Sequence, residues 1–299
     1  MNDRPYVSDP NTWSVDSEYG VLREVLLGHP GHFAWRPLSP VVRRTMANLE
    51  KIGIRFDSEL ACRQHQGLAE AYESFGVRVR RIPADPELPY NMSARDSSAM
   101  TPWGPLICSL QPVWRRREYT SVYRFYTEAG APIWRAVSAG HFEGGDLVIV
   151  EPGHVLLGYS GERSEQAGAE QVAGWFRENG WEATLVPIPV HFVHLDVLIG
   201  IIGPKLAAIA TECLEDYVVD YLEGLGFELI DVGYRDAIHL GCNVMALGRD
   251  RVISLAHNEK LNAQLRARGL DVAAPDFTMF TYGGGGVHCF SQPLYRDPA

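Results

Sequence analysis

One pattern constrains the fold of this chain more than any other: a unit of about 40 residues recurs along it, the period of arrays and propellers. Residues 146–188 read DLVIVEPGHVLLGYSGERSEQAGAEQVAGWFRENGWEATLVPI, residues 196–232 read DVLIGIIGPKLAAIATECLEDYVVDYLEGLGFELIDV, and residues 243–275 read NVMALGRDRVISLAHNEKLNAQLRARGLDVAAP. Each opens with a short aliphatic run, turns at a Gly- or Pro-containing pair and repeats the run, which is a hairpin pattern. One helix follows. In the middle copy Leu214, Val218, Tyr221, Leu222 and Leu225 form its apolar stripe. Each helix closes on a glycine (Gly180, Gly226 or Gly269) ahead of another strand, as a left-handed C-terminal cap requires. The run Glu73-Ser74-Phe75-Gly76-Val77 ends an earlier helix that begins near Asp57, and a less regular copy lies within 105–137. The unit is strand, strand, helix, strand. About five copies predict one α/β propeller domain over 1–299, with helices outside and strand ends meeting at the centre.

Composition narrows the partners. With 299 residues, 46% of them hydrophobic, the chain can bury a large core. Its net charge of −10 disfavours nucleic acid and favours a cationic ligand. Residues 1–5 carry no basic stretch leading into an apolar run, so no signal peptide is expected. The most apolar run, 197–203, suits a buried strand and is too short for a membrane span, so no membrane partner is expected. Cysteines 62, 108, 213, 242 and 289 are odd in number and dispersed, which argues for a reducing, cytoplasmic setting. The proline-rich stretch 83–89 reads as a turn inside the fold rather than a linker.

The chemistry concentrates in a few junctions of the repeat. Gly283-Gly284-Gly285-Gly286-Val287-His288-Cys289-Phe290 combines a tight turn, bare main-chain amides and a thiol. Glu143-Gly144-Gly145-Asp146 and His194-Leu195-Asp196 add acid and base, and Asp96 lies in Ser93-Ala94-Arg95-Asp96-Ser97-Ser98. In a closed array these junctions converge on one axial cavity. His191 and His194 are spaced H-x-x-H, but the helix-borne H-E-x-x-H pattern and paired thiols are missing, so no metal is expected. The glycine run lacks the Gly-Lys-Ser/Thr of a phosphate loop. Several carboxylates around a thiol suit a planar cation. A guanidinium offers a fork of N–H donors that carboxylates accept, and its central carbon can take a cysteine nucleophile.

In order, Ala-Arg-Asp, Glu-Gly-Gly-Asp, His-Leu-Asp and Gly-Gly-Gly-Val-His-Cys resemble the guanidino-group-modifying superfamily, over nearly the whole chain. That superfamily includes arginine deiminases, arginine dihydrolases, dimethylarginine hydrolases, agmatine deiminases and amidinotransferases. The resemblance implies the five-bladed αβ-propeller (pentein) fold, built from ββαβ repeats with pseudo-fivefold symmetry. It implies a small cationic guanidino substrate and no cofactor. It also implies roles. Cys289 is the nucleophile, His194 the general acid and then base, and Glu143 orients His194. Asp96 and Asp196 clamp the guanidinium, Asp146 supports the site, and Arg115 and Arg163 take an α-carboxylate. The expected function is cysteine-dependent hydrolysis of arginine or an arginine derivative through a thiouronium intermediate. The alternative is amidino transfer to an amine, and the rival outside catalysis is a ligand-binding propeller. Oligomeric state stays open.

The pattern also departs from its relatives. Tyr90 stands where the deiminase pattern has Asn, Asn91 is displaced by one, and Ser93 and Ala94 replace Phe and Thr. Dihydrolases carry Asn in place of Asp96. His29 and His32 are expected to be structural or exposed. His288, if in a strand with Cys289, would face the other way. Cys62 and Cys213 in helices, and Cys108 and Cys242 near strands, are expected to be core thiols. Trp35 is a candidate for the cavity mouth.

Overall fold

The structure, a computed structural model, describes residues 6–37 and 40–299. Residues 1–5, read above for a leader, lie outside the described residues. The chain first lays down β1 (Leu22–Gly28), α1 (Pro40–Lys51), α2 (Ser58–Ser74) and β2 (Arg78–Ile82). A single helical turn, α3 (Ala94–Ser97), leads into β3 (Ser98–Thr101), β4 (Gly104–Ile107), α4 (Tyr119–Ala129) and β5 (Arg135–Ala136). The third unit is β6 (Leu147–Glu151), β7 (His154–Tyr159), α5 (Gln166–Glu178) and β8 (Glu182–Pro187). The fourth is β9 (Ile199–Gly203), β10 (Leu206–Ile209), α6 (Asp216–Gly224) and β11 (Glu228–Asp231). After the short α7 (Tyr234–Ala237) come β12 (Met245–Gly248), β13 (Arg251–Ile253), α8 (Glu259–Ala267) and β14 (Asp271–Ala273). The chain ends with α9 (Thr278–Thr281) and β15 (Ser291–Arg296).

These strands form five small mixed sheets of three strands each. In every sheet the middle strand pairs antiparallel with one neighbour and parallel with the strand that returns after the helix. The ββαβ unit read from the sequence is therefore present in units two to five. The first sheet is assembled differently: β15, from the far end of the chain, supplies its antiparallel strand, with Leu27 opposite Ser291. Neighbouring sheets touch through β15 and β3, β1 and β12, β12 and β9, and β9 and β6. An isolated bridge between Ser109 and Phe142 links the second unit to the third.

Local chemistry explains the helix limits. Asp57 has extended backbone and accepts from the Leu60 N–H, which starts α2 where the sequence suggests. Five glycines following the long helices, Gly76, Gly130, Gly180, Gly226 and Gly269, all have φ between 77° and 86°, a region open to them and strained for other residues. β6 and β9 are buried on both faces, each burying four of its five residues, whereas the returning strands β5, β11 and β14 are more exposed. Among the described residues no helix is long and apolar enough to cross a membrane. Residues 83–89 form a loop within the fold. Cys108, Cys213 and Cys242 are buried, but Cys62 is exposed, contrary to expectation. The inward stripe of α2 is Ala61, His65, Leu68 and Tyr72, which turns position 62 toward water.

Candidate active site

Two junctions of the repeat are built alike, and a third residue occupies the corresponding place before β12. Glu143 has extended backbone and precedes a tight turn, Gly144–Asp146, that enters β6. His194 has extended backbone and precedes the turn Leu195–Val197 that enters β9. Asn243 lies just before β12. The two glycines after Glu143 are explained by close approach. A Cβ on Gly144 would lie 2.2 Å from the Arg95 carbonyl oxygen, and one on Gly145 would lie 2.6 Å from His194 Nδ1. The first lets α3 bring in Asp96. The second seats the imidazole. Gly145→Ala is expected to displace His194, lowering activity and destabilising the fold by about 1–3 kcal/mol, as overpacking does. Melting curves alongside a turnover assay check it; wild-type values for both would refute this seating.

The groups so placed form one buried ion network. His194 Nε2 lies 2.9 Å from Glu143 Oε2, and its Nδ1 lies 3.8 Å from Asp96 Oδ1. Arg163 donates to Glu143 through Nε at 3.0 Å and through its terminal nitrogen, which also lies 3.5 Å from Asp96 Oδ2. Arg115 donates to Asp96 Oδ2 at 2.8 Å and grips Glu118 bidentately, with contacts of 2.7–3.0 Å. Asp146 Oδ1 accepts from the Leu195 N–H at 2.8 Å and so ties the two turns together.

Burial and charge set the protonation states. Burial disfavours a charged His194, but Asp96, Asp146 and the bond to Glu143 outweigh both burial and Arg163, raising its pKa to about 9. Burial raises the Glu143 carboxyl, yet Arg163 and His194 pull it well below the usual range. Burial is the main cause that lifts Asp146 to about 6. For Cys289, burial, then Asp196 and Asp96, push the thiol well above its ordinary value; a Gly286 backbone contact and Asn243 oppose them. At neutral pH the free site therefore holds Cys289 as a thiol and His194 as an imidazolium. Alkylation of Cys289 by iodoacetamide is expected to be slow at pH 7 and to accelerate only above the pH range of an ordinary thiol. A rate that is already maximal at pH 7 would overturn this.

The sequence candidates meet around one cavity of about 370 Å³. Asp96, Arg115, Arg163, His194 and Cys289 line it, together with Gly283, Gly284 and Gly285 from the glycine run. Glu143, Asp146 and Asp196 stand behind that wall, fully buried. Asp196 Oδ1 lies 4.0 Å from Cys289 Sγ. Asp96 Oδ1 is buried and has no hydrogen-bond partner, an acceptor left open beside the cavity. Aromatic rings of Phe33, Tyr90, Trp114, Phe192, Phe280 and Phe290 form much of the remaining wall. Trp35 instead packs against Tyr282 and donates to the Met279 carbonyl. His29 and His32 are exposed. Asp96, Glu143 and His194 each place a donor atom within 4.8 Å of the others. Guanidinium groups of Arg115 and Arg163 already lie against these two carboxylates, at Asp96 Oδ2 and at both Glu143 oxygens.

Several contributors escaped the sequence reading. Asn243 donates to Cys289 Sγ at 3.2 Å and accepts from the His288 N–H at 2.9 Å, bracing the thiol loop. Its position at a repeat junction, like Glu143 and His194, was the available signal. Glu118 carries no such mark. Arg115 and Arg163, expected to stand free for a carboxylate, are instead paired with Asp96, Glu118 and Glu143 because three buried carboxylates need countercharge. Cys289 and His288 lie in the turn before β15, not within a strand.

Fold and site together define an enzyme of the guanidino-group-modifying class, a guanidino-group hydrolase. The sequence pattern of N,N-dimethylarginine dimethylhydrolase (eukaryotic) matches residues 30–296, and the chain belongs to that family. An uncharacterised protein of Bacillus subtilis, YkgA, is 30% identical over 282 residues, covering 94% of each chain. An arginine deiminase of Rhodococcus erythropolis is 29% identical over 257 residues, covering 71% of this chain and 61% of the deiminase. Two solved structures share the fold. A dimethylarginine hydrolase of Pseudomonas aeruginosa, complexed with citrulline, has a TM-score of 0.74 at 18% identity, covering 91% of this chain and 99% of that one. The N-terminal domain of ArgZ, a cyanobacterial arginine dihydrolase, has a TM-score of 0.78 at 19% identity, covering 91% and 98%.

Proposed function

We propose that this chain hydrolyses the guanidino group of arginine or an arginine derivative by covalent catalysis at Cys289. The observation that carries this reading is the unpaired Oδ1 of Asp96 in the same cavity wall as the Cys289 thiol and the His194 imidazole. Asp96 on the cavity wall, and Asp196 just behind it with Oδ1 4.0 Å from Sγ, take the N–H groups of a guanidinium whose carbon sits at the thiol. Arrival of that cation offsets the nearby carboxylates and lets the thiol release its proton to solvent. Sγ then forms a bond to the guanidinium carbon. As the C–N bond breaks, the departing amine takes its proton from His194, which Glu143 keeps oriented and charged until that moment. The neutral imidazole next accepts a proton from water while the water oxygen adds to the same carbon. Breaking the C–S bond restores the thiolate and leaves a ureido product. Arg115 and Arg163 hold Asp96 and Glu143 in place.

The same reading takes the five sheets as blades of one closed αβ-propeller domain. Contacts between successive sheets, and the completion of the first by β15, support it. The deciding experiment is mass spectrometry of products from the purified protein with arginine, methylated arginines and agmatine, each with and without glycine as acceptor. A ureido product and free amine without acceptor supports the hydrolase. Turnover only with glycine, yielding a guanidinylated acceptor, would replace it with amidino transfer.

A further inference from the structure

We propose that His288 is a positioning residue that locks the Asp196 carboxylate beside the Cys289 thiol. This rests on the reading of Asp196 as a contact of the guanidinium. His288 is adjacent to the thiol in sequence, yet its ring points away from the cavity into a buried polar chain. Its Nδ1 lies 2.8 Å from Asp196 Oδ2, and its Nε2 lies 3.0 Å from an Arg95 terminal nitrogen and 3.4 Å from Glu18 Oε2. The same Arg95 nitrogen donates to Glu18 Oε1 at 2.6 Å. All four side chains are buried.

Donor and acceptor roles follow from what each group can do. A guanidinium only donates, so Nε2 accepts from Arg95 and carries no proton. The single ring proton is then on Nδ1, where it is donated to Asp196. Arg95 thus selects the tautomer, and Glu18 holds Arg95. This leaves Asp196 with one oxygen tied to His288 and the other, Oδ1, facing Sγ at 4.0 Å. Burial raises the Asp196 carboxyl, but His288 above all offsets that and keeps it below its ordinary value. The ring can reach inward because the Asn243 side chain accepts from the His288 N–H and fixes the turn. Four segments distant in sequence meet here: the stretch before β1, α3, the turn before β9 and the glycine loop. Without His288, Oδ2 would be a buried acceptor facing Arg95, and the carboxylate would turn toward that cation and away from the thiol.

The test uses the pH profile of Cys289 alkylation by iodoacetamide in the free protein, with melting curves as the folding control. His288→Asn keeps a donor at the Nδ1 position. His288→Gln and His288→Leu do not. The Gln and Leu variants, like Asp196→Asn, are expected to lower the midpoint by about one unit, making alkylation at pH 7 about tenfold faster. The Asn variant keeps the wild-type midpoint, and His288→Leu added to Asp196→Asn causes no further shift. A wild-type midpoint in both folded Gln and Leu variants, or full additivity with Asp196→Asn, overturns the proposal. In a Cys289→Ser background, calorimetry with arginine and agmatine reads the second consequence. His288→Leu weakens binding about 10- to 100-fold, the range for a hydrogen bond to an ionised group. If neither guanidine binds any form while the midpoints shift as stated, the positioning role stands and the guanidine reading fails.

Discussion

Cys289→Ser is expected to reduce turnover of any guanidine at least ~10⁴-fold while leaving its binding largely intact. A hydroxyl in that position keeps the hydrogen bond from Asn243 Nδ2, so the loop and the cavity survive. It does not supply a nucleophile, because nothing nearby takes its proton: His194 already holds both of its own at neutral pH, with a pKa raised to about 9. Steady-state kinetics on the variant, with calorimetric binding of the same guanidine, reads both halves. Appreciable turnover in the serine variant would end the covalent mechanism.

A second large effect is expected at His194. Replacing it with glutamine preserves a donor toward Glu143 but removes the proton needed by the departing amine, a loss of about 10²- to 10⁴-fold in kcat. An S-alkylisothiourea, whose thiol leaving group departs without a proton from the enzyme, should escape most of that loss in the first, thiol-releasing turnover, while hydrolysis of the intermediate stays slow on both substrates. An equal loss in that first turnover on both substrates would deny His194 the role of acid to the leaving group. The same group sets a pH limit. Its pKa is raised from 6.5 to about 9 in the folded protein, so its stabilising charge is complete below pH 6.5 and lost as pH rises through 9. Wild-type stability should therefore fall across that window more steeply than that of His194→Gln, and kcat should fall above about pH 9.

Much of the architecture is legible in the chain because the signals are local. Hairpin turns, one apolar stripe and a terminal glycine lie within each unit, and Gly180, Gly226 and Gly269 take the left-handed conformation as read. Glu143 and His194 were also readable, since each opens a repeat. The partner strand of β1 was not. β15 joins it from the opposite end of the chain, and an edge pairing of that range leaves no periodic trace. Cys62 failed for a related reason: its helix was legible, but which face the helix buries depends on what it packs against.

By itself, then, the amino-acid order determined the repeated unit, the junctions that carry chemistry, and the thiol, imidazole and carboxylates gathered there. Such features depend on neighbours a few residues away. Only the tertiary structure decided which charges stand together: Arg115 on Glu118 and Asp96, Arg163 on Glu143, and His288 between Arg95 and Asp196. Coulombic and desolvation energies depend on distance in space and on burial, so protonation states arise only once segments from both ends of the chain have met.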